Sequence, residues 1–139
     1  MKATIQRIKG LALAGRGGSN HWVSMDGPED YGGFSAGTRP MEMILIGLAA
    51  CTAMDVLSIL QKKRVKLDDF NMQAEAEQAA EHPKVFTKIK LHYVFYGKGI
   101  RAKDVERSIE LSQEKYCGAS AMLRKVAEIS YDYEIIEAD

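Results

Sequence analysis

This chain has few of the residues that usually announce a function. Its 139 residues include three histidines, three prolines, two cysteines and one tryptophan. His21, His82 and His92 lie far apart, and none stands at a ligand spacing from a cysteine. That argues against a zinc site, and no metal and no cofactor is expected. Charge of either sign is not in excess: 19 lysines and arginines balance 19 acidic residues. The basic surplus of a nucleic-acid binder is missing. No basic segment followed by an apolar one opens the sequence, so no signal peptide is expected. The uncharged run Met43–Met54, bracketed by Glu42 and Asp55, is shorter than the roughly 20 residues of a spanning helix. These absences lead us to expect no membrane association and a cytoplasmic location. Thiols stay reduced there, so two cysteines are reactive or inert rather than a structural disulfide. The length suits a single domain, 1–139, with a real core.

What is present is a clear alternation of strand and helix patterns. "KATIQRI" and "LALAG" flank Lys9-Gly10, and "HWVSMD" follows the glycine-rich bend "GRGGSN", so three strands are expected first. Residues 27–39 hold four glycines and no apolar period, which reads as a long loop. Pro40 then suits the first turn of a helix running to about Lys62. Its apolar residues cover nearly the whole circumference, and a helix apolar all round must be buried all round. A second copy of the chain is the simplest candidate to cover the face that one sheet cannot.

Strict alternation returns in "FNMQAEAEQ" and "KIKLHYVFY", predicting a long hairpin with one apolar and one polar face. A second helix is expected over about Lys103 to Tyr116, with Val105, Ile109 and Ser112 on one face. Cys117-Gly118 interrupts it, a short helix follows over about Ala119 to Glu128, and "ISYDYEII" reads as a last strand. The fold class is α+β, antiparallel strands packed on a long central apolar helix.

Cys51 and Cys117 are the chain's only thiols. Cysteine often serves as a small buried hydrophobe, and that is the plain reading of Cys51 alone. Beside it stand Ala49, Ala50 and Ala53, small enough to leave room for a substrate in a pocket completed by Leu48 and Met54. Cys117 precedes a short helix, whose N-terminal N–H groups favour a thiolate. If the two faced one another they could reduce a peroxide, one sulfur becoming a sulfenic acid and the other condensing with it to a disulfide. The attacking sulfur needs a nearby cation, and Arg16, in the glycine-flanked "AGRGGS", is a candidate. An exposed loop arginine is its plain alternative. Arg39, before Pro40, is expected to be solvated.

Taken together, these features resemble the OsmC/Ohr family, the osmotically induced and organic-hydroperoxide-resistance proteins. The resemblance rests on the N-terminal strand pair with its arginine, the G-T-x-P helix start at Gly37–Pro40, the A-A-C at Ala49–Cys51, and a second cysteine before a later helix. "RPMEMILIGLAACTAMDV" and "SQEKYCGAS" are similar to the OsmC-like branch in particular. The resemblance implies an intertwined homodimer with active sites at the subunit interface. It implies a thiol peroxidase for organic hydroperoxides, recycled by a dithiol reductant such as a lipoylated protein. Cys51 matches the peroxidatic cysteine, Cys117 the resolving one and Arg16 the arginine that holds the thiolate. The family's glutamate after the helix-opening proline falls on Met41 here, with Glu42 one residue later. One residue rotates a helical side chain by about 100°, so Glu42 is a weaker match. Asp55, one turn after Cys51, would raise a neighbouring thiol's pKa if unpaired. Two other readings stay open: a dimeric module binding a small apolar ligand without catalysis, and a redox sensor.

Overall fold

The structure, a computed structural model, describes residues 1–137. It divides into two compact units, Met1–Ile44 and the chain from Leu45 onward.

In the first unit, strands β1 (Ala3–Lys9), β2 (Ala12–Gly17) and β3 (Trp22–Met25) form an antiparallel sheet in the order β1-β2-β3. Gly10 closes the first turn with φ of 58°, and a Cβ there would lie 2.8 Å from the Gly32 carbonyl oxygen, so both backbone angle and space require glycine. Arg16 is not in a loop: it sits within β2, opposite Thr4 and Trp22. The bend lies just beyond it, where the Asn20 N–H donates to the Gly17 carbonyl over 3.1 Å.

The glycine-rich loop is organised by a carboxylate. Asp26, 2% exposed, accepts N–H bonds from Gly27 (2.7 Å), Phe34 (3.0 Å) and Ala36 (3.2 Å). Burial alone would raise its pKa, but the three N–H donors and the Arg39 charge outweigh it and hold the carboxyl below its ordinary value. The expectation of a solvated Arg39 is overturned. Its guanidinium reaches the carbonyls of Asp26 (3.5 Å) and Gly37 (3.3 Å) and the Ser35 hydroxyl (3.3 Å). A loop short of apolar residues is thus held by polar contacts that no periodicity records.

Helix α1 spans Pro40–Lys62. Pro40 takes the first position, and the Glu42 carboxylate reaches back to the Arg39 N–H over 3.4 Å, which is the N3 half of a capping box. By length and composition α1 could cross a bilayer. Its row Leu48, Thr52, Val56, Leu60, spaced by four, is nevertheless fully buried, and the three apolar members belong to the core. Burial all round is not what the chain shows. Ile46 is 51% and Met54 71% exposed, because the core meets only one face of the helix.

The second unit's sheet has the order β4-β5-β6, from β4 (Asp69–Gln78), β5 (Phe86–Tyr96) and β6 (Glu128–Ile136). β4 and β5 form the expected antiparallel hairpin, with Ile89, Leu91, Tyr93 and Phe95 buried. β6, however, runs parallel to β5. The all-antiparallel expectation fails here because the connection is a helical crossover, and a parallel pair needs such a connection. That crossover holds α2 (Ala102–Leu111), a π-helical turn (Ser112–Tyr116) and α3 (Gly118–Leu123). α3 stops well short of the expected Glu128. Val105, Ile109 and Ser112 are fully buried, and Asp104 binds Arg101 (2.8 Å) and Lys63 (3.4 Å) near the start of α2.

Candidate active site

Cys51 and Asp55 are four residues apart on α1 and therefore share a face. Cys117 comes from the crossover, in the break between the π-helical turn and α3. The structure brings them together: the two sulfurs and a carboxylate oxygen of Asp55 all lie within 4.8 Å of one another. Cys51 is half-buried, whereas Cys117 is only 3% exposed. Both are free thiols. A π-helical turn beside a functional group is a recurrent way of re-aiming side chains, and here it ends at Cys117.

Around this triad lies a buried polar network whose direction follows from counting protons. Each hydroxyl donates once. Ser112 Oγ donates to Asp55 Oδ2 over 2.9 Å, so at its 2.7 Å contact with Thr52 Oγ1 it must accept. Thr52 has then spent its proton, and the Tyr93 hydroxyl must donate to it over 2.7 Å. The chain runs Tyr93 to Thr52 to Ser112 to Asp55, ending on the carboxylate. A second chain starts at Arg124, which donates to Gln113 Oε1 (3.2 Å). Gln113 Nε2 donates to Thr52 Oγ1 (3.0 Å) and to Ser120 Oγ (3.1 Å). Ser120 Oγ then donates to Cys117 Sγ over 3.1 Å, joined there by its own N–H at 3.3 Å. Both chains therefore end on groups that can bear negative charge. Among the described residues, no buried side-chain nitrogen or oxygen lacks a partner.

Burial pushes the Cys117 thiol above its ordinary pKa; the two Ser120 donors pull it down and the neighbouring Cys51 pushes it up again, with burial prevailing. The expected thiolate-favouring helix start is thus present in the Ser120 N–H but outweighed, because a helix of six residues sets a few donors against removal of the sulfur from water. Tyr93 is pushed up to about 12, chiefly by burial, and remains a donor at neutral pH.

The other residues named from sequence fall as follows. Ala49, Ala50 and Ala53 line an apolar cavity of about 370 Å³ with Leu45, Ile46, Met72 and Ala74. Leu48 lies in the core instead, and Met54 is exposed. A second cavity, of about 410 Å³, is lined by Asp55, Ser58, Ile59, Lys62, Leu111 and Tyr116. In the first unit, Arg16 lies 4.8 Å from the centre of the Trp22 ring and bonds the Asn20 side chain, while Glu42 caps α1. Sequence reasoning missed Thr52, Tyr93, Ser112, Gln113, Ser120 and Arg124. One signal was available: a tyrosine on the apolar face of β5 must find a partner for its hydroxyl.

Fold and site together define a protein of mixed α and β structure with two free thiols held close together, an arrangement consistent with a redox role. The family model described as OsmC-like protein matches residues 32–132, and the chain belongs to that family. The Escherichia coli K12 protein YhfA is 36% identical over 138 residues, which cover 99% of this chain and all of YhfA. A solved structure of a hypothetical protein from Aquifex aeolicus is 25% identical, with a TM-score of 0.87 over 99% of this chain and 97% of that one. An organic hydroperoxide resistance protein OsmC from Legionella pneumophila shares the fold at 19% identity, with a TM-score of 0.70 over 96% and 95% of the two chains.

Proposed function

We propose that this protein is a thiol peroxidase for organic hydroperoxides, acting in oxidative stress defence in the cytoplasm. The observation that carries the reading is the pair of sulfurs within 4.8 Å of each other, one half-buried and one buried. The half-buried Cys51 is the sulfur a peroxide can reach. Its thiolate attacks the distal peroxide oxygen, the O–O bond breaks, and the departing alkoxide takes up the proton the thiol gave. Sulfur is oxidised to sulfenic acid and the peroxide is reduced to an alcohol. The Cys117 thiol then attacks the Cys51 sulfur, the S–O bond breaks, water leaves and a disulfide remains. A dithiol reductant, such as a lipoylated protein, returns it to two thiols by exchange. Arg16 takes the thiolate-holding role by its match to the family position, with Glu42 as its weaker partner. A homodimer with active sites at the interface belongs to the same reading.

The apolar cavity beside Ala49, Ala50 and Ala53 supports a substrate that brings apolar surface, since each buried methylene contributes about 0.8 kcal/mol. One equivalent of cumene hydroperoxide should yield a Cys51–Cys117 linked peptide pair on mapping, and should do so faster than hydrogen peroxide. Two free thiols after oxidant, or only interchain linkage, would refute the reading.

A further inference from the structure

The resolving step requires a proton to leave Cys117 as its sulfur attacks and a proton to reach the hydroxide expelled from Cys51. The network hydrogen bonds to Cys117 come from Ser120, which donates there and cannot accept the thiol proton while doing so. We propose that the Asp55 carboxylate is the catalytic acid–base of this step, taking the proton from Cys117 and delivering it to the leaving oxygen. The proposal rests on the peroxidase reading above and names the group that completes its chemistry.

Three observations converge on Asp55. Its carboxylate oxygen lies within 4.8 Å of both reacting sulfurs, a separation that one water molecule bridges for proton transfer. The Tyr93–Thr52–Ser112 chain ends on its Oδ2, so its anion is held by the Ser112 hydroxyl, itself fixed by the donors behind it. It also lines the 410 Å³ cavity, whereas Cys117 is buried, so Asp55 can exchange protons with solvent on behalf of a thiol that cannot. The step balances. Asp55 takes the Cys117 proton, the S–S bond forms as the Cys51 S–O bond breaks, and the protonated carboxyl gives its proton to hydroxide, leaving water and the carboxylate restored. The groups facing Asp55 are Cys51 on its own helix and Ser112 and Cys117 from the crossover, with Lys62 of the same helix and Tyr116 of the crossover lining the cavity beside it.

The test is a single turnover with cumene hydroperoxide, following the Cys51 sulfenic acid by dimedone trapping and the disulfide by mapping. Asp55→Asn should slow disulfide formation about 100-fold at pH 7, so that sulfenic acid accumulates. Its resolution rate should then rise about tenfold per pH unit, following ionisation of Cys117, where the wild-type rate is nearly flat. Asp55→Ala, which lacks the new amide, should give the same slope. Wild-type resolution in both variants, or an equal loss at every pH with no change of slope, would overturn the proposal. Should the wild-type protein form no sulfenic acid, the peroxidase reading fails on its own. The proposal is then judged on a disulfide made with diamide and reduced by dithiothreitol, where Asp55 protonates the departing Cys117 thiolate. A wild-type reduction rate in Asp55→Asn, or no disulfide at all, would overturn it there too.

Discussion

Thr52 Oγ1 makes three hydrogen bonds, to Tyr93, Ser112 and Gln113, from a fully buried position on α1. It joins the chain that ends on Asp55 to the one that ends on Cys117. Thr52→Val keeps the shape but removes the oxygen, leaving the Tyr93 hydroxyl and one Gln113 proton without their acceptor. A buried group left unpaired costs about 1–3 kcal/mol. We therefore expect a lower urea midpoint at unchanged m-value, with Thr52→Ser recovering most of the loss. An equal loss in both variants would mean that the methyl group's packing, not the network, stabilises this position. At this scale the sequence was partly legible. Cys51 and Asp55 at i and i+4 were bound to share a face, but Ser112, which bonds both Asp55 and Thr52, is 57 and 60 positions away from them.

At the scale of elements, the parallel β5–β6 pair carries a pH-dependent tie on its polar face. His92 bonds Asp132 through Nδ1 and Glu134 through Nε2, the latter over 3.3 Å. Lys90 also approaches Asp132, at 3.4 Å. Hydrogen bonds to the two carboxylates raise the His92 pKa, and the bond to His92 lowers that of Asp132. A raised histidine pKa stabilises fully below the unfolded value near 6.5 and is lost as pH rises through the folded value. The lowered aspartate stabilises above its unfolded value near 3.9 and is lost as pH falls through the folded one. His92→Gln should therefore cost stability at pH 5 and little at pH 9, the gap shrinking in high salt because the groups are partly exposed. Urea melts at the two pH values check this, and an equal cost at both would point to packing alone. The long helix α1 and the β4–β5 hairpin were readable from period, whereas the short α3, with a single turn or so to show a period, was not. The direction of β6 was not, because antiparallel and parallel strands show the same alternation.

At the scale of the whole molecule, each unit leaves apolar surface uncovered. In the first unit, Ile5, Ile8, Trp22 and Val23 are exposed on the sheet; in the second, Ile46, Met54 and Leu57 are exposed on α1. Isolated exposed apolar residues are ordinary, but rows of them on an element mark association. We expect a dimer: sedimentation at micromolar concentration should give twice the chain mass. Met54→Asp, which places a charge in the exposed row of α1, should shift it toward monomer. A folded wild-type monomer would show that these faces need no partner.

The sequence by itself determined the local elements, since the period of apolar residues, the capping pattern at Pro40–Glu42 and the glycine turn at Gly10 are properties of neighbouring residues. It also pointed to the family, through a combination of short motifs each read from neighbouring residues. Tertiary structure alone decided that Cys117 is the buried thiol and Cys51 the reachable one, that Arg39 ties down its loop, and that Asp55 stands beside both sulfurs. The arrangement around the sulfurs depends on residues brought together from distant parts of the chain, such as Asp55 and Ser112, 57 positions apart. Burial and hydrogen-bond direction are set by what surrounds an atom in space, and no pattern along the chain encodes that surrounding directly.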